Sequence, residues 1–496
     1  MGKLNIGWAE ESLVHPTKKV ALAGQFYERI SQYVESDVTA TAMAVDVDGE
    51  QTIFVSVDIV KITTELLTLA RKLVSEANSE IDTDKIIITA THTHTSLGTV
   101  SGTKTTIETL SKFMPEGKSY QTIVDTENPE LLSPKEAAVH VANKIAKAIV
   151  DAWNNRKPAL YANAFGRAVV GFCRRVTYDD GSAQMWGDTN TANFVSLEGG
   201  NDSGIELLYI YDTDKNLTGV VANIACPSQI LEHQSFISSD YWGKAKEYLR
   251  KKLGENIYLL GLGGAGGDQC PRDLVRWVHS PACAKDPNIA RPNLIDRVAG
   301  PSMFDLEGCR LVGKRIANEI ISVYEEITEL NDDVILKHKN IALDLPLRKA
   351  TIEQYKEAVR EIEYYMAKNK DKDSFNYADN AAMHVYAGTI NRYNIQQTKE
   401  IVQCEIHIVR FGDVAFATNP FELFLDYGNR IKARSTSKQT FILQLTCGGL
   451  GYLPTEKAEK AGHYSAYISS GNVGHEGGDL LVRRSITEIN QMFEEE

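Results

Sequence analysis

The stretch Ile86-Ile87-Ile88-Thr89-Ala90-Thr91-His92-Thr93-His94-Thr95-Ser96 reads as a buried strand that runs into a pair of histidines. An unbroken apolar, β-branched run of this length is what a strand covered on both faces requires. Working outward, alternating apolar residues predict strands near 38–48 and 51–60, and helical spacing from Thr63 to Ala77 predicts a helix before the strand at 85–91. The same rhythm returns later, with a strand at Val220–Ala225, a helix at Asp240–Lys252 and a strand at Ile257–Gly261 that ends in glycines. Strand–helix–strand alternation predicts an α/β fold, mixed sheets flanked by helices. Ligands in such folds collect beyond the strand ends.

Downstream, a helix is expected over Phe304–Ile327, and a polar helical region at 351–399 with a turn at Asp371–Asp373. That region carries little suggestive chemistry and reads as an elaboration packed on the side. Strands follow at 402–418, a helix at Phe421–Lys432, a strand at Phe441–Thr446 and a closing helix at Leu480–Phe493. With no repeat and no low-complexity linker, the expectation is a single large domain over 1–496.

Across 496 residues the formal net charge is −13, with both signs interspersed, which excludes the concentrated basic face that nucleic acid demands. Surface docking on anionic lipid is disfavoured for the same reason. No basic segment followed by an apolar run opens the sequence, and no apolar stretch reaches membrane-spanning length. The seven cysteines (173, 226, 270, 283, 309, 404, 447) are scattered without paired spacing, which points away from a disulfide framework and toward the cytoplasm.

Four places carry chemistry. His92 and His94 would project to one side if the strand persists through them, and imidazole is a common zinc ligand. Two surface histidines in a threonine-rich turn is the plainer alternative. Cys226-Pro227 closes the strand before it, with Glu232, His233, Ser238, Ser239 and Asp240 following. A thiolate there could bind a soft metal or attack, or the cysteine could be a small core residue. Gly261-Leu262-Gly263-Gly264-Ala265-Gly266-Gly267-Asp268-Gln269-Cys270-Pro271 lets backbone amides approach a ligand and form an anion nest, or forms a structural loop. Asn419-Pro420-Phe421-Glu422 places a carboxylate in an expected first helical turn, and Gly451-Tyr452-Leu453-Pro454-Thr455 offers a tyrosine after glycines.

Taken together and in order, these segments resemble the catalytic domain of the neutral (neutral/alkaline, non-lysosomal) ceramidases. The resemblance starts at Leu22-Ala23-Gly24, Arg29 and Val55-Ser56-Val57-Asp58, and runs to the Gly-Tyr-Leu-Pro-Thr segment. It leaves out the helical insertion near 351–399 and the carboxy-terminal sandwich domain of full-length ceramidases. The Thr-His-Thr-His block is its most specific element. The resemblance implies one zinc ion per chain, with His92, Glu422 and Tyr452 at ligand positions. It implies His94 beside the metal, helping to hold the carbonyl or its oxyanion, and Arg174 as the active-site arginine. Gly-Asp-Gln-Cys-Pro resembles the family's Gly-Asp-Val-Ser-Pro, which brings Asp268 and Cys270 to the substrate.

Two departures stand out: Cys226-Pro227 where the family has His-Pro, and Cys270 where it has serine. Thiolate is a competent zinc ligand, so Cys226 could complete the set, with His233 as a possible substitute. The expected function is metal-dependent hydrolysis of an amide, or an ester, in a small polar molecule rather than ceramide. The alternatives are a metal-free cysteine acyl hydrolase using Cys270 or Cys226, a non-catalytic small-molecule-binding relic, and, more remotely, glycoside hydrolysis by a carboxylate pair. No oligomeric state is legible.

Overall fold

Strands β1 (Gly2–Ser12), β2 (Thr39–Val47), β3 (Glu50–Val57), β4 (Ile86–Ala90), β5 (Lys157–Arg167), β6 (Gly204–Asp212), β7 (Leu217–Ile224) and β8 (Tyr258–Gly263) lie side by side in the order β8-β7-β6-β5-β1-β2-β3-β4. A two-residue strand, Asp333–Val334, pairs with the start of β1 as the ninth member. A second sheet is built from β9 (Leu336–Pro346), β10 (Ile401–Phe411), β11 (Val414–Thr418) and β12 (Gln439–Leu443). The computed structural model describes residues 2–100, 104–124, 128–189, 191–275 and 304–494. Cys283 lies outside them; the other six cysteines are buried and free.

The period-two pattern of β2 explains the layering. Ala40, Ala42 and Ala44 face one core, while Met43, Val45 and Val47 face another. The second core lies between the sheets, where Phe54 of β3 packs on Phe416 of β11 and Phe416 on Phe441 of β12, with ring centroids 4.7 and 4.6 Å apart. Each such buried ring contributes on the order of 2 kcal/mol of transfer free energy.

The principal helices are α1 (Thr64–Ala77), α2 (Pro134–Asn154), α3 (Asp240–Leu253), α4 (Leu306–Glu325), α5 (Ile352–Lys368), α6 (Tyr377–Ile395), α7 (Leu425–Lys432) and α8 (His475–Glu494). The first four cover the outer face of the large sheet, through Leu66, Val74, Ile145 and Ile149 on one half and Tyr241, Leu249, Val312 and Ile316 on the other. Helices α7 and α8 cover the outer face of the second sheet through Tyr427, Ile431, Leu481 and Ile489. Small side chains let the layers close: a Cβ on Gly7 of β1 would sit 2.0 Å from the Ala152 carbonyl oxygen of α2. The order of layers is therefore helices, sheet, sheet, helices.

Within these two sheets most strand contacts are antiparallel, but three pairs are parallel, and each is joined through a helix: β3–α1–β4, β7–α3–β8 and β11–α7–β12. The chain segments that follow β4, β7, β8 and β11 carry His92, Cys226, Asp268 and Glu422.

The insertion folds as a hairpin of α5 and α6. Capping boxes at Thr351/Gln354 and Asn376/Asp379 start both helices, and Ala358, Ile362, Met366, Met383 and Ile390 form its core. It leans on the segment before Arg29, where Phe26 meets His384 at 4.4 Å and Tyr27 meets Tyr377 at 6.0 Å between centroids. Among the described residues, no helix is long and apolar enough to cross a membrane.

Candidate functional site

Strand β4 ends at Ala90, so the two histidines are not alternate residues of a continuing strand. The backbone turns instead, with His92 in the left-handed region at φ 66°. This bend still brings the rings together, with Nε2 of His94 3.2 Å from Nε2 of His92. The threonines between them hold the bend. Thr93 and Thr95 both donate from Oγ1 to the Ser238 carbonyl at 2.9 Å, and Thr91 donates to the buried Asp58 carboxylate at 3.1 Å. Arg29 donates to the His94 carbonyl at 2.7 Å, and Gly24 lies flat against the His94 ring, where a Cβ would come within 2.4 Å of Cγ.

Each ring has an acceptor at its Nδ1 end. His92 Nδ1 lies 2.6 Å from the Val60 carbonyl oxygen, which can only accept, so the proton sits on Nδ1. His94 Nδ1 lies 3.3 Å from Oε2 of Glu232. Burial raises the Glu232 pKa, but the contact with His94 and the charges of His233 and Arg174 outweigh it and hold the carboxyl below its usual range. Burial also pushes His92 down to about 4, only partly offset by Glu422, so its imidazole is neutral. The two Nε2 atoms thus face each other, and Oε2 of Glu422 stands 3.5 Å from that of His92.

Glu422 is not in a helix. It belongs to a two-residue strand, Glu422–Leu423, paired parallel to Tyr452–Leu453, and α7 starts only at Leu425. Pro420 and the committed backbone explain the delay: the Glu422 amide donates to the Gly451 carbonyl at 3.0 Å and the Leu423 amide to Gln444 Oε1 at 3.1 Å. Glu422 and Tyr452 are thereby direct register partners. The Tyr452 hydroxyl accepts from Arg174 at 3.3 Å, and burial, followed by the Glu422 and Tyr464 neighbours, keeps its pKa far above the ordinary value. Arg174 is anchored by donating to the Gly267 carbonyl at 2.9 Å and to Gln229 Oε1 at 3.3 Å.

The glycine run does not form an anion nest. The amides of Gly264, Gly266 and Gly267 donate to Ile224 O, Gln444 Oε1 and Leu423 O, at 2.7, 3.1 and 2.8 Å. What needs glycine is the close approach of the chain: a Cβ on Gly267 would lie 2.3 Å from the Glu422 carbonyl oxygen. Asp268 is occupied too, accepting from the Leu425 amide at 2.9 Å at the start of α7, with burial raising its pKa.

Both thiols are buried, although each lies close enough to Arg174 to feel its charge. Cys226 Sγ is buried in the core beneath α3 and α4, 3.8 and 3.6 Å from the Val170 and Pro227 carbonyl oxygens, and burial raises its pKa well above the ordinary value. Cys270 Sγ lies 3.3 Å from the Arg272 carbonyl, its pKa pushed up to about 12 by burial. His233 is half exposed at the rim, with Nδ1 3.3 Å from the Tyr27 hydroxyl and Nε2 3.7 Å from Glu232.

Two imidazole nitrogens 3.2 Å apart match the ~3.3 Å edge of a tetrahedron with ~2.0 Å metal–nitrogen bonds. A neutral His92 anchored through Nδ1 and a nearby carboxylate complete a fitting half-site, with Tyr452 beside Glu422. His92, Cys226 and Glu422 do not form a group with ligand atoms mutually within 4.8 Å. Among the described residues that closeness is met at Glu405, His407 and Cys447. There, however, the Arg71 guanidinium already bridges both Glu405 oxygens at 2.9 and 2.5 Å.

Gln229 and Tyr464 join the site without an individual signal in sequence, and Glu232, noted after Cys226-Pro227, joins it in a role the sequence did not assign. Glu232 could have been suspected as an acid in the loop after β7. Tyr464, whose ring lies 5.5 Å from that of Tyr452, sits in a loop that nothing marks.

No protein-family model matches this chain, and no curated protein does. Solved structures do. The neutral ceramidase from Pseudomonas aeruginosa aligns over 100% of this chain and 75% of its own, with a TM-score of 0.68 and 13% identity. A ceramidase complexed with C2 aligns over 100% and 76%, with a TM-score of 0.68 and 12% identity. The chain thus has the neutral ceramidase fold, with mixed α/β architecture.

Proposed function

We propose that this chain is a hydrolase that cleaves an amide bond, or an ester, in a small polar molecule, with a zinc ion held by His92, Glu422 and Tyr452. The convergence of two histidine Nε2 atoms with a carboxylate carries this reading, because 3.2 Å is the separation of two nitrogens that share one small cation. The ceramidase fold of the neighbours supports amide chemistry. A bound ion supplies Lewis acidity and lowers the pKa of water toward ~7.

The chain's own groups do the rest. Arg174, fixed by Gly267 and Gln229, and the un-ionised Tyr452 phenol lie within reach of one another and donate to the developing oxyanion, each worth about 3 kcal/mol. His94, with Nε2 toward the site, accepts the proton released by attacking water and passes it to the leaving nitrogen. Asp268 and the glycine loop hold Glu422 in register rather than touching substrate.

A thiol nucleophile has less support: burial raises the pKa of both candidate thiols, and the hydrogen-bond partners of Cys226 and Cys270 are carbonyl oxygens, not imidazoles. The deciding experiment is metal content by plasma mass spectrometry for the wild type, His92→Ala and Cys226→Ala, with hydrolysis of N-acyl 4-nitroanilides before and after chelation. About one zinc per chain, lost in His92→Ala together with turnover, is expected. A metal-free wild type that hydrolyses the probes and stops in Cys270→Ala would overturn the metal reading.

A further inference from the structure

We infer that Glu232 is the positioning residue for His94: its carboxylate keeps the ring proton on Nδ1 and so leaves Nε2 bare toward the site. This rests on the metal-hydrolase reading for its consequence but not for its geometry. Glu232 occupies the turn after β7, and the turn is pinned on both sides. The Leu231 amide donates to Asp240 at 2.8 Å, and Arg29 donates to the Gln234 carbonyl at 2.5 Å. The Glu232 side chain is only 12% exposed and has His94 Nδ1 at 3.3 Å and His233 Nε2 at 3.7 Å as its ion-pair partners.

At 3.3 Å the contact is close enough for an ion pair but is not a directed hydrogen bond, and the buried His94 Nδ1 has no other partner. Catalytic hydrogen bonds are often long before substrate or metal tightens them. The neighbouring ring shows the alternative device. His92 is fixed by a neutral backbone carbonyl, whereas His94 relies on a side-chain carboxylate. Which nitrogen of an imidazole faces a site is decided by the bond its other nitrogen makes.

Without Glu232, nothing retains the proton on Nδ1. It moves to Nε2, where it donates across 3.2 Å to His92 Nε2 and caps the lone pair that His92 offers to metal. Glu232 thus protects both rings, although it touches only one.

The test uses the full-length chain labelled with ¹⁵N-histidine, in the wild type, Glu232→Ala, Glu232→Gln and Glu232→Asp, with His94→Asn to identify the signals. Long-range ¹H–¹⁵N correlation on chelator-treated protein is expected to find His94 protonated on Nδ1 in the wild type and on Nε2 in Glu232→Ala. Glu232→Gln, which keeps an accepting oxygen and guards against a variant that fails to fold, should retain much of the Nδ1–H form, and Glu232→Asp should restore it in part. Zinc affinity, by chelator competition, should fall on the order of 10- to 100-fold in Glu232→Ala.

An Nδ1–H ring in Glu232→Ala, or an Nε2–H ring in the wild type, overturns the inference, and hydrolysis by the wild type would then stand unaffected. A tautomer that switches as expected in a chain that neither binds zinc nor hydrolyses the probes upholds the inference and sinks the hydrolase reading.

Discussion

Among the described residues are two buried histidine pairs, each beside a carboxylate, and they are wired in opposite ways. In the pair on β9 and β10, His338 Nε2 lies 2.8 Å from His407 Nδ1, His338 Nδ1 is 2.9 Å from the Thr52 hydroxyl, and His407 Nε2 is 2.6 Å from Glu405. Arg71 of α1 then closes the chain on Glu405. One set of neutral tautomers pairs every ring nitrogen, so nothing is left to bind. In the pair after β4, two Nε2 atoms converge beside Glu422 and His94 Nδ1 is left without a hydrogen bond. The closed network joins the second sheet to α1 and β3 and holds structure; the open one keeps lone pairs for a partner. Residue type does not separate the two, and hydrogen-bond completeness does.

Opposite damage should therefore follow from breaking each. Removing His92 as His92→Ala is expected to lower turnover by a factor on the order of 10³, equivalent to the loss of about 4 kcal/mol of Lewis-acid stabilisation, while urea denaturation shifts by less than about 1 kcal/mol. Arg71→Met should do the reverse. It strands Glu405, whose pKa is held at about 2 because the His407 and Arg71 contacts outweigh its burial, and a buried pair broken from one side costs about 3 kcal/mol or more. Turnover per folded molecule should be unchanged. Zinc bound at Glu405 in the wild type would erase the contrast.

Acid offers a second way to sharpen it. Burial, then mutual charge, holds His338 well below its ordinary pKa, and burial also lowers His407. Unfolded histidines titrate near ~6.5, so the unfolded chain binds more protons below that value and stability must fall with pH from about 6.5 downward. The loss is expected to approach about 1.4 kcal/mol per ring for each pH unit. His92, depressed to about 4, adds in the same direction, and Glu405 adds below about 4.5. Urea midpoints at pH 8, 7, 6 and 5.5 check this, and a His338→Gln/His407→Gln double variant should give a shallower slope. An unchanged slope would place the proton uptake elsewhere.

Much of the framework was legible before any coordinates. The triple-isoleucine strand, the Thr63–Ala77 helix and the 220–261 strand–helix–strand unit appear within a few residues of expectation, because apolar periodicity is a local property. What failed depends on distant partners. The helix expected from Phe421 starts at Leu425 because Glu422 pairs with Tyr452, thirty positions on. The glycines looked like a ligand nest and instead admit the Glu422 backbone. The long strands β1, β5, β6 and β9 escaped detection, having mixed polar patterns whose sense appears only once their neighbours are known.

The smallest effect is expected at Cys226, the position where sequence promised a metal ligand. Its sulfur sits among Val170, Ile224 and Tyr241, against two carbonyl oxygens, with the thiol held un-ionised by burial. Cys226→Ala removes one atom from a packed core and should cost about 1 kcal/mol in urea denaturation. Zinc content and the turnover of N-acyl 4-nitroanilides should stay within a factor of about two, since the donors argued for the ion lie at His92, Glu422 and Tyr452. A variant that keeps its stability but loses zinc would show that the sulfur swings out of the core when metal binds. Cys226 would then belong with the open network, and completeness of hydrogen bonding alone would no longer separate the two histidine pairs.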